Sequence, residues 1–124
     1  MNFDSSRPIY LQIIDYIKAQ IIKGELKAGD KILSQRELAQ KLKVNPNTVQ
    51  RAYREMENYN LTETLRGQGT FIVASKDLKS QLKKEMAEDI LKRFFMEVES
   101  LGYKDEEILD LVKQYQRQKW EGFK

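Results

Sequence analysis

Residues 34–73 read SQRELAQKLKVNPNTVQRAYREMENYNLTETLRGQGTFIV, and this stretch decides the fold of the 124-residue chain. It opens with the pattern of a capping box, in which the Ser34 hydroxyl and the Glu37 carboxylate each pair with a backbone amide at a helix start. An apolar face follows at helical spacing, formed by Leu38, Ala39 and Leu42. The pattern therefore predicts a short helix that begins after Ser34.

A second helix is predicted after a tight connection at residues 43–44. Asn45 supplies a capping side chain, and Pro46 is a favoured residue at the first helical position. Apolar residues then recur at helical spacing: Val49, Ala52, Tyr53 and Met56. Two short strands, at residues 61–65 and 70–73, flank a basic, glycine-rich tip. This order predicts a winged helix-turn-helix, a unit that usually places its second helix in the major groove of DNA.

The flanking sequence predicts a mainly α-helical protein with a small β-hairpin wing. Residues 8–24 form an amphipathic first helix, and residues 26–32 a turn with a short extended piece. We divide the chain into a winged helix-turn-helix domain (1–75) and a helical dimerisation tail of two helices (76–124). The tail carries an apolar stripe that needs burial, either against a second copy of the chain or by folding back on the winged helix. The predicted dimerisation residues are Leu78, Leu82, Met86, Ile90, Phe94, Val98, Leu101, Ile108 and Val112.

Composition excludes several classes of function. The chain has no cysteine and no histidine, so disulfides, thiolate sites, histidine bases and histidine metal ligands are absent. We expect no enzyme activity, no cofactor and no metal. No signal peptide and no apolar run of spanning length is present, which predicts a cytoplasmic protein without membrane association. The first 75 residues hold 11 Lys/Arg and 8 Asp/Glu, whereas the remainder holds 11 of each, so the excess positive charge lies on the winged-helix half.

The candidate DNA-contacting residues cluster at two helix starts and at the wing tip. Asparagine and glutamine pair with adenine, and arginine pairs with guanine or phosphate. For each residue a structural role remains open: a cap for Asn45, a solvated charge for Arg36, and an ordinary turn for the wing tip. The predicted set is Arg36, Asn45, Asn47, Thr48, Gln50, Arg51, Arg66, Gly67 and Gln68.

These motifs resemble the GntR family of bacterial transcription regulators over about residues 7–74. The resemblance runs through Pro8-Ile9-Tyr10, Gly29-Asp30, the Ser34 capping box, Thr48-Val49 and Gly67-Gln68-Gly69-Thr70-Phe71. The short two-helix tail is similar to that of the YtrA-type subfamily, whose members dimerise through it. The resemblance implies the same DNA-contacting positions except Arg51, and it implies that any effector binds at the dimer interface, because 49 residues are too few for a metabolite-binding domain.

Three positions depart from the family pattern. Leu33 replaces the usual proline before the capping box, and Asn60 replaces the glycine before the wing. Many members carry arginine where this chain has Pro46 and Gln50, which implies that a guanine contact is missing. The sequence thus predicts a homodimeric repressor that binds an inverted-repeat operator in double-stranded DNA, with transporter genes as the regulated class by resemblance. Two alternatives remain: a winged helix that binds another protein, and a sequence-blind nucleoid protein.

Overall fold

The computed structural model describes residues 2–122. Its elements in chain order are α1 (Ile9–Ile22), α2 (Gln35–Leu42), α3 (Pro46–Asn58), β1 (Thr62–Leu65), β2 (Gly69–Ile72), α4 (Leu78–Glu99) and α5 (Asp105–Glu121). The chain forms two compact units that meet within α4, between Lys83 and Lys84. The first unit is a helix-turn-helix followed by a hairpin, so the predicted winged helix is confirmed.

The core of the first unit is built around α3. This helix packs against α1, α2 and β1, and its apolar positions are the four predicted from helical spacing. α1 contributes a stripe of isoleucines to the same core. The most deeply buried side chains are Ile13, Val49, Ala52, Met56 and Ile72, all fully inaccessible to solvent. α3 is therefore held from its apolar side, which leaves its opposite face open.

Two left-handed residues set the turns on either side of α3. Lys43 ends α2 with φ = 56°, and Asn60 follows α3 with φ = 59°. Asn60 therefore adopts the conformation expected of a residue that replaces glycine, since asparagine tolerates the left-handed region better than most side chains. Lys43 was not predicted to be left-handed. It allows the amide of Val44 to bond the carbonyl of Ala39 at 3.1 Å and so closes the turn between the two helices.

The wing is an antiparallel hairpin in which Thr62 pairs with Ile72 and Leu65 with Gly69. A short extended piece before α2 runs beside it. The amide of Ile72 donates to the carbonyl of Asp30 at 2.8 Å, and the amide of Ile32 donates to the carbonyl of Thr70 at 2.9 Å. The extended segment predicted in residues 26–32 is thus present, and it ties β2 to the helical core.

The second unit consists of most of α4, the connection after it and α5. Gly102 lies in this connection with φ = 96°, a left-handed conformation that glycine adopts without steric cost, as predicted for the end of the long helix. Glu107 accepts a hydrogen bond from the amide of Lys104 at 3.0 Å and so pairs one amide at the start of α5. The three consecutive acidic residues from Asp105 to Glu107 lie in its first turn, where the helix dipole favours negative charge.

Two of the predicted dimerisation residues belong to the first unit instead. Leu78 is 8% exposed and Leu82 is 5% exposed, and both lie in the apolar core of the winged helix. These two leucines follow the alternative in which the tail folds back on the winged helix. The first turns of α4 cover the core of the first unit. Their burial is already complete within one chain, so they need no second copy.

Within residues 2–122, no helix is both long enough and apolar enough to cross a bilayer.

Candidate nucleic-acid interface

The start of α2 is fixed by a reciprocal pair of hydrogen bonds. The amide of Glu37 donates to Ser34 Oγ at 3.1 Å, and the amide of Ser34 donates to Glu37 Oε1 at 3.0 Å, which confirms the predicted capping box. The Ser34 amide, and after it the Ser34 hydroxyl, hold the pKa of the Glu37 carboxyl below its usual value. The backbone from which Arg36 projects is therefore held in one conformation.

Arg36 lies in the first turn of α2 with its side chain exposed. It makes no hydrogen bond and no ion pair within residues 2–122. A cation at a helix N-terminus is disfavoured by the helix dipole, so this position gains nothing from the helix itself. An unpaired guanidinium on a rigid base suits a phosphate or a guanine edge.

Asn45 caps α3. Its Oδ1 accepts a hydrogen bond from the amide of Asn47 at 2.8 Å, and Pro46 occupies the first helical position. The structural role left open for Asn45 is therefore realised, although its Nδ2 group remains available as a donor. Thr48 is half-buried, whereas Asn47, Gln50 and Arg51 are exposed.

A groove of about 590 Å³ runs between α2 and the first turns of α3. Three of the predicted DNA-contacting residues line it together: Arg36, Asn47 and Gln50. Apolar groups lie between these polar side chains, and the full lining is Gln35, Arg36, Ala39, Gln40, Val44, Pro46, Asn47 and Gln50. The side chains of Asn47 and Gln50 have no hydrogen-bonding partner within the described residues. Two free amides that can pair with adenine thus share one concave surface with a free guanidinium.

Arg51 is not among the residues that line this groove. Its guanidinium carbon is 3.9 Å from the centre of the Tyr10 ring, so the cation stacks on an aromatic face supplied by α1. Tyr10 lies in the predicted first helix and in the Pro8-Ile9-Tyr10 motif, but no contact with Arg51 was predicted. Helical spacing alone does not reveal such a contact, because it joins residues that are 41 positions apart.

The wing tip presents Arg66, Gly67 and Gln68 to solvent. The amide of Gln68 donates to the carbonyl of Leu65 at 2.9 Å, and Gly67 has φ = 78°, which closes the tip as a tight turn. Gly69 has φ = 124°, and a Cβ atom there would lie 2.7 Å from Lys31 Cε. No hydrogen bond or ion pair links the side chains of Arg66 and Gln68 to α2 or α3 in the described part of the chain. The tip is therefore an exposed turn that is separate from the groove between α2 and α3.

The predicted dimerisation residues beyond Lys83 differ in exposure. Ile108 is fully buried, and Met86 and Val98 are half-buried. The other four remain open to solvent: Ile90 at 55%, Phe94 at 37%, Leu101 at 75% and Val112 at 41%. Further large apolar side chains of this unit are also exposed, namely Leu91, Met96, Tyr103, Leu109, Tyr115 and Trp120. So much exposed apolar surface on a unit with so small a core is typical of an interaction surface.

Among residues 2–122, no three acidic, histidine or cysteine side chains lie close enough together to bind a metal ion.

Comparison with known proteins agrees with this geometry. Residues 9–72 match the family model described as "Bacterial regulatory proteins, gntR family". The chain is 45% identical over 114 residues to the uncharacterized HTH-type transcriptional regulator YhcF of Bacillus subtilis, covering 92% of this chain and 94% of that protein. It is 42% identical over 113 residues to the HTH-type transcriptional repressor YtrA of the same organism, covering 89% and 85%.

A solved structure extends the similarity to the whole fold. A GntR family transcriptional regulator from Listeria monocytogenes is 45% identical, with a TM-score of 0.75 over 90% of this chain and 98% of that one. A winged helix with an exposed recognition helix, in a chain related along most of its length to such proteins, defines a DNA-binding transcriptional regulator. The chain belongs to the GntR family, and its nearly full-length match to YtrA supports the predicted YtrA-type resemblance. These relatives are regulators, so the expectation that the protein is not an enzyme is confirmed.

Proposed function

We propose that the protein is a homodimeric, sequence-specific repressor that binds an inverted-repeat operator in double-stranded DNA. The observation that carries this proposal is the groove between α2 and α3. There Arg36, Asn47 and Gln50 present unpaired donors and acceptors from two helix starts on a rigid core. Base-reading side chains on fixed helices are what direct readout in the major groove requires.

The residues around the groove supply the remaining contacts. We assign base contact to Asn47 and Gln50, and contact with a phosphate or a guanine edge to Arg36. The wing tip, Arg66 to Gln68, would reach the adjacent minor groove or its phosphates, because a basic turn rich in glycine allows a close approach. Asn45, Thr48 and Arg51 flank the base contacts along the first turns of α3.

The exposed apolar surface of the second unit supports dimerisation. Apolar side chains of α4 and α5 that remain open to solvent favour association with a surface of the same kind. A second copy of the chain is the occupant that we propose, since a two-fold dimer pairs each apolar patch with itself and closes the assembly. Two recognition helices related by two-fold symmetry then match an inverted repeat.

The proposals of repression and of a class of regulated genes rest on the names of related proteins. YtrA of B. subtilis is named a transcriptional repressor, and another relative, MngR of Escherichia coli, is named a repressor of a transport and metabolism system. We propose repression of a transporter operon on that basis, with the cytoplasm, where bacterial DNA is accessible, as the site of action. Any effector would bind at the interface between the two copies.

Selection of bound duplexes from a random pool tests the proposal. The purified protein would be used at about 150 mM salt, where non-specific contacts are screened. We expect enrichment of a consensus with two-fold symmetry. An enriched site without symmetry would contradict the dimeric mode of binding. Binding without enrichment, which only weakens as salt rises, would instead identify a sequence-blind DNA-binding protein, and no binding at all would favour a protein-interaction module.

A further inference from the structure

The contact between Tyr10 and Arg51 links the first helix to the recognition helix. The guanidinium carbon lies 3.9 Å from the ring centre, which is van der Waals contact with the face of the ring. The negative face of an aromatic ring attracts a cation at this distance. A stacked guanidinium keeps its N–H donors in its own plane, so they remain able to bind an anion beyond the edge of the ring.

Arg51 has no competing partner. Its side chain is exposed, and it forms no hydrogen bond or ion pair within residues 2–122. It lies one helical turn after Asn47, so the two residues share a face of α3. Gln50 lines the groove toward α2, whereas Arg51 is directed to α1 and does not line that groove. Arg36 therefore lies on the α2 side of the recognition helix, whereas Arg51 is directed to α1.

We propose that Tyr10 is a positioning residue for DNA binding, which holds the Arg51 guanidinium in place to contact a backbone phosphate on the α1 side of the recognition helix. This inference rests on the proposed DNA-binding function. A phosphate is the expected partner because Arg51 lies outside the groove that contains the base-reading amides, at the flank of the helix. DNA strands border the major groove on both sides of an inserted helix.

The physical benefit of the stack is reduced freedom of the arginine before binding. An unrestrained arginine loses rotamer freedom when it is ordered at an interface, and restraint in the bound conformation removes part of that cost. Removal of the ring should therefore weaken binding about three- to tenfold. Since phosphates carry no sequence information, operator and scrambled duplexes should lose affinity by similar factors.

A double-mutant cycle tests the inference with the full-length protein and the duplex obtained by selection. The variants are Tyr10→Leu, Arg51→Ala and the two combined. We expect both single variants to weaken binding, and the double variant to bind no more weakly than Arg51→Ala alone. Arg51→Ala should also lower the slope of log affinity against log salt by about one, because one phosphate contact is lost. Tyr10→Phe retains the ring face and should keep wild-type affinity.

Tyr59→Leu is the matched control. Tyr59 is 65% exposed at the end of α3, and Lys18 Nζ lies 6.0 Å from its ring centre. It is remote along the helix from the recognition turns, so this change should leave affinity unaltered. If Tyr10→Leu disturbs folding, as judged by circular dichroism, Arg51→Lys measures the same loss from the other side, because lysine keeps the charge but lacks the planar stacking group.

Three results would overturn the inference. Equal weakening by Tyr10→Leu with and without Arg51 would show that the ring acts independently of the arginine. Weakening by Tyr10→Phe as large as that by Tyr10→Leu would assign the role to the hydroxyl. An unchanged salt slope in Arg51→Ala would remove the phosphate contact. If the wild-type protein selects an operator but shows no coupling, only this inference fails, whereas absence of any DNA binding would remove the proposed function as well.

Discussion

Ser34 and Glu37 bond each other reciprocally at the start of α2, with the Ser34 amide 3.0 Å from Glu37 Oε1 and the Glu37 amide 3.1 Å from Ser34 Oγ. The pair satisfies two of the amides that a helix start leaves without partners. Arg36 lies between them in sequence and takes its backbone geometry from the pair. The local stability of this helix start and the presentation of Arg36, which we propose contacts DNA, therefore depend on the same two hydrogen bonds.

The capping box predicts a specific dependence of stability on pH. The pKa of Glu37 is lowered in the folded protein, chiefly by the Ser34 amide, from an ordinary value of 4.5. Its contribution to stability is thus fully present above pH 4.5 and is lost as the pH falls through the lower folded pKa. Glu37→Gln keeps an acceptor but removes the charge. We expect the difference in Tm between wild type and this variant to shrink below pH 4.5.

Thermal unfolding of both proteins between pH 7 and pH 3 measures this difference. Asp4 also has a lowered pKa, because the amide and the hydroxyl of Ser6 donate to it, but it is present in both proteins and cancels. A difference in Tm that stays constant over the whole range would contradict the assignment of the titration to Glu37.

Much of the fold could be predicted from local patterns in the sequence. The capping box, Pro46 at the first position of α3 and the left-handed Gly102 each follow from the preferences of a few neighbouring residues. The groove residues Arg36, Asn47 and Gln50 were predictable for the same reason, since helix-turn-helix geometry brings two helix starts together.

The features that the sequence did not predict depend on contacts between distant segments. Leu78 and Leu82 continue the stripe of the long helix without a break in period, so their burial in the winged-helix core has no local signal. The stack of Arg51 on Tyr10 likewise joins α3 to α1. Periodicity identifies which face of a helix needs burial, but tertiary packing selects the partner.

The Gln12 side chain links α1 to the segment before it, so we predict that its loss destabilises the protein. It is 8% exposed, its Oε1 accepts from the Asp4 amide at 2.8 Å, and its Nε2 donates to the carbonyls of Asp4 and Arg7 at 2.6 and 2.9 Å. Gln12→Leu removes all three bonds, so the amide of Asp4 and the carbonyls of Asp4 and Arg7 lose these partners. We expect a loss of about 1–3 kcal/mol in the free energy of unfolding. Urea denaturation measures this loss.

Hydrogen exchange distinguishes the hydrogen bonds that Gln12 makes to the backbone from its contribution to packing. The amide of Asp4 should lose protection in Gln12→Leu. Gln20→Leu serves as the control, because among residues 2–122 the Gln20 side chain bonds only the Tyr16 hydroxyl, at 3.4 Å, and no backbone group. Unchanged exchange at Asp4 in the Gln12 variant would show that other contacts hold the segment.

Substitution of Gln50 should reduce discrimination between DNA sequences rather than weaken DNA binding in general. The Gln50 amide is unpaired and lines the groove, so Gln50→Ala removes a base contact without exposing the core. We expect a cost of about 1–3 kcal/mol on the selected operator, a relaxed preference at one base pair of each half-site, and little change on scrambled DNA. Gln116→Ala, on the exposed surface of α5, is the matched control. Wild-type discrimination in Gln50→Ala would exclude this side chain from base reading.

A charged substitution at Ile90 tests the proposed dimer. Ile90 is 55% exposed on α4, one helical turn before Phe94, which is 37% exposed. In a dimer that covers this face, Ile90→Glu would bury an unpaired carboxylate, at a cost of roughly 3–5 kcal/mol. We expect the dimer to dissociate at micromolar concentrations, with sedimentation velocity as the measurement. Affinity for the two-fold operator should fall with it, because each subunit then binds one half-site alone.

Lys92→Glu is the matched control for the dimer test. It places the same new residue on the same helix, two positions along, where the side chain is charged and exposed in the wild type. This position lies on a different face of α4 from Ile90, since two residues correspond to about 200° of helical rotation. The control should remain a dimer. A dimer that survives Ile90→Glu as well would show that the exposed apolar face of α4 is not the interface between the two copies.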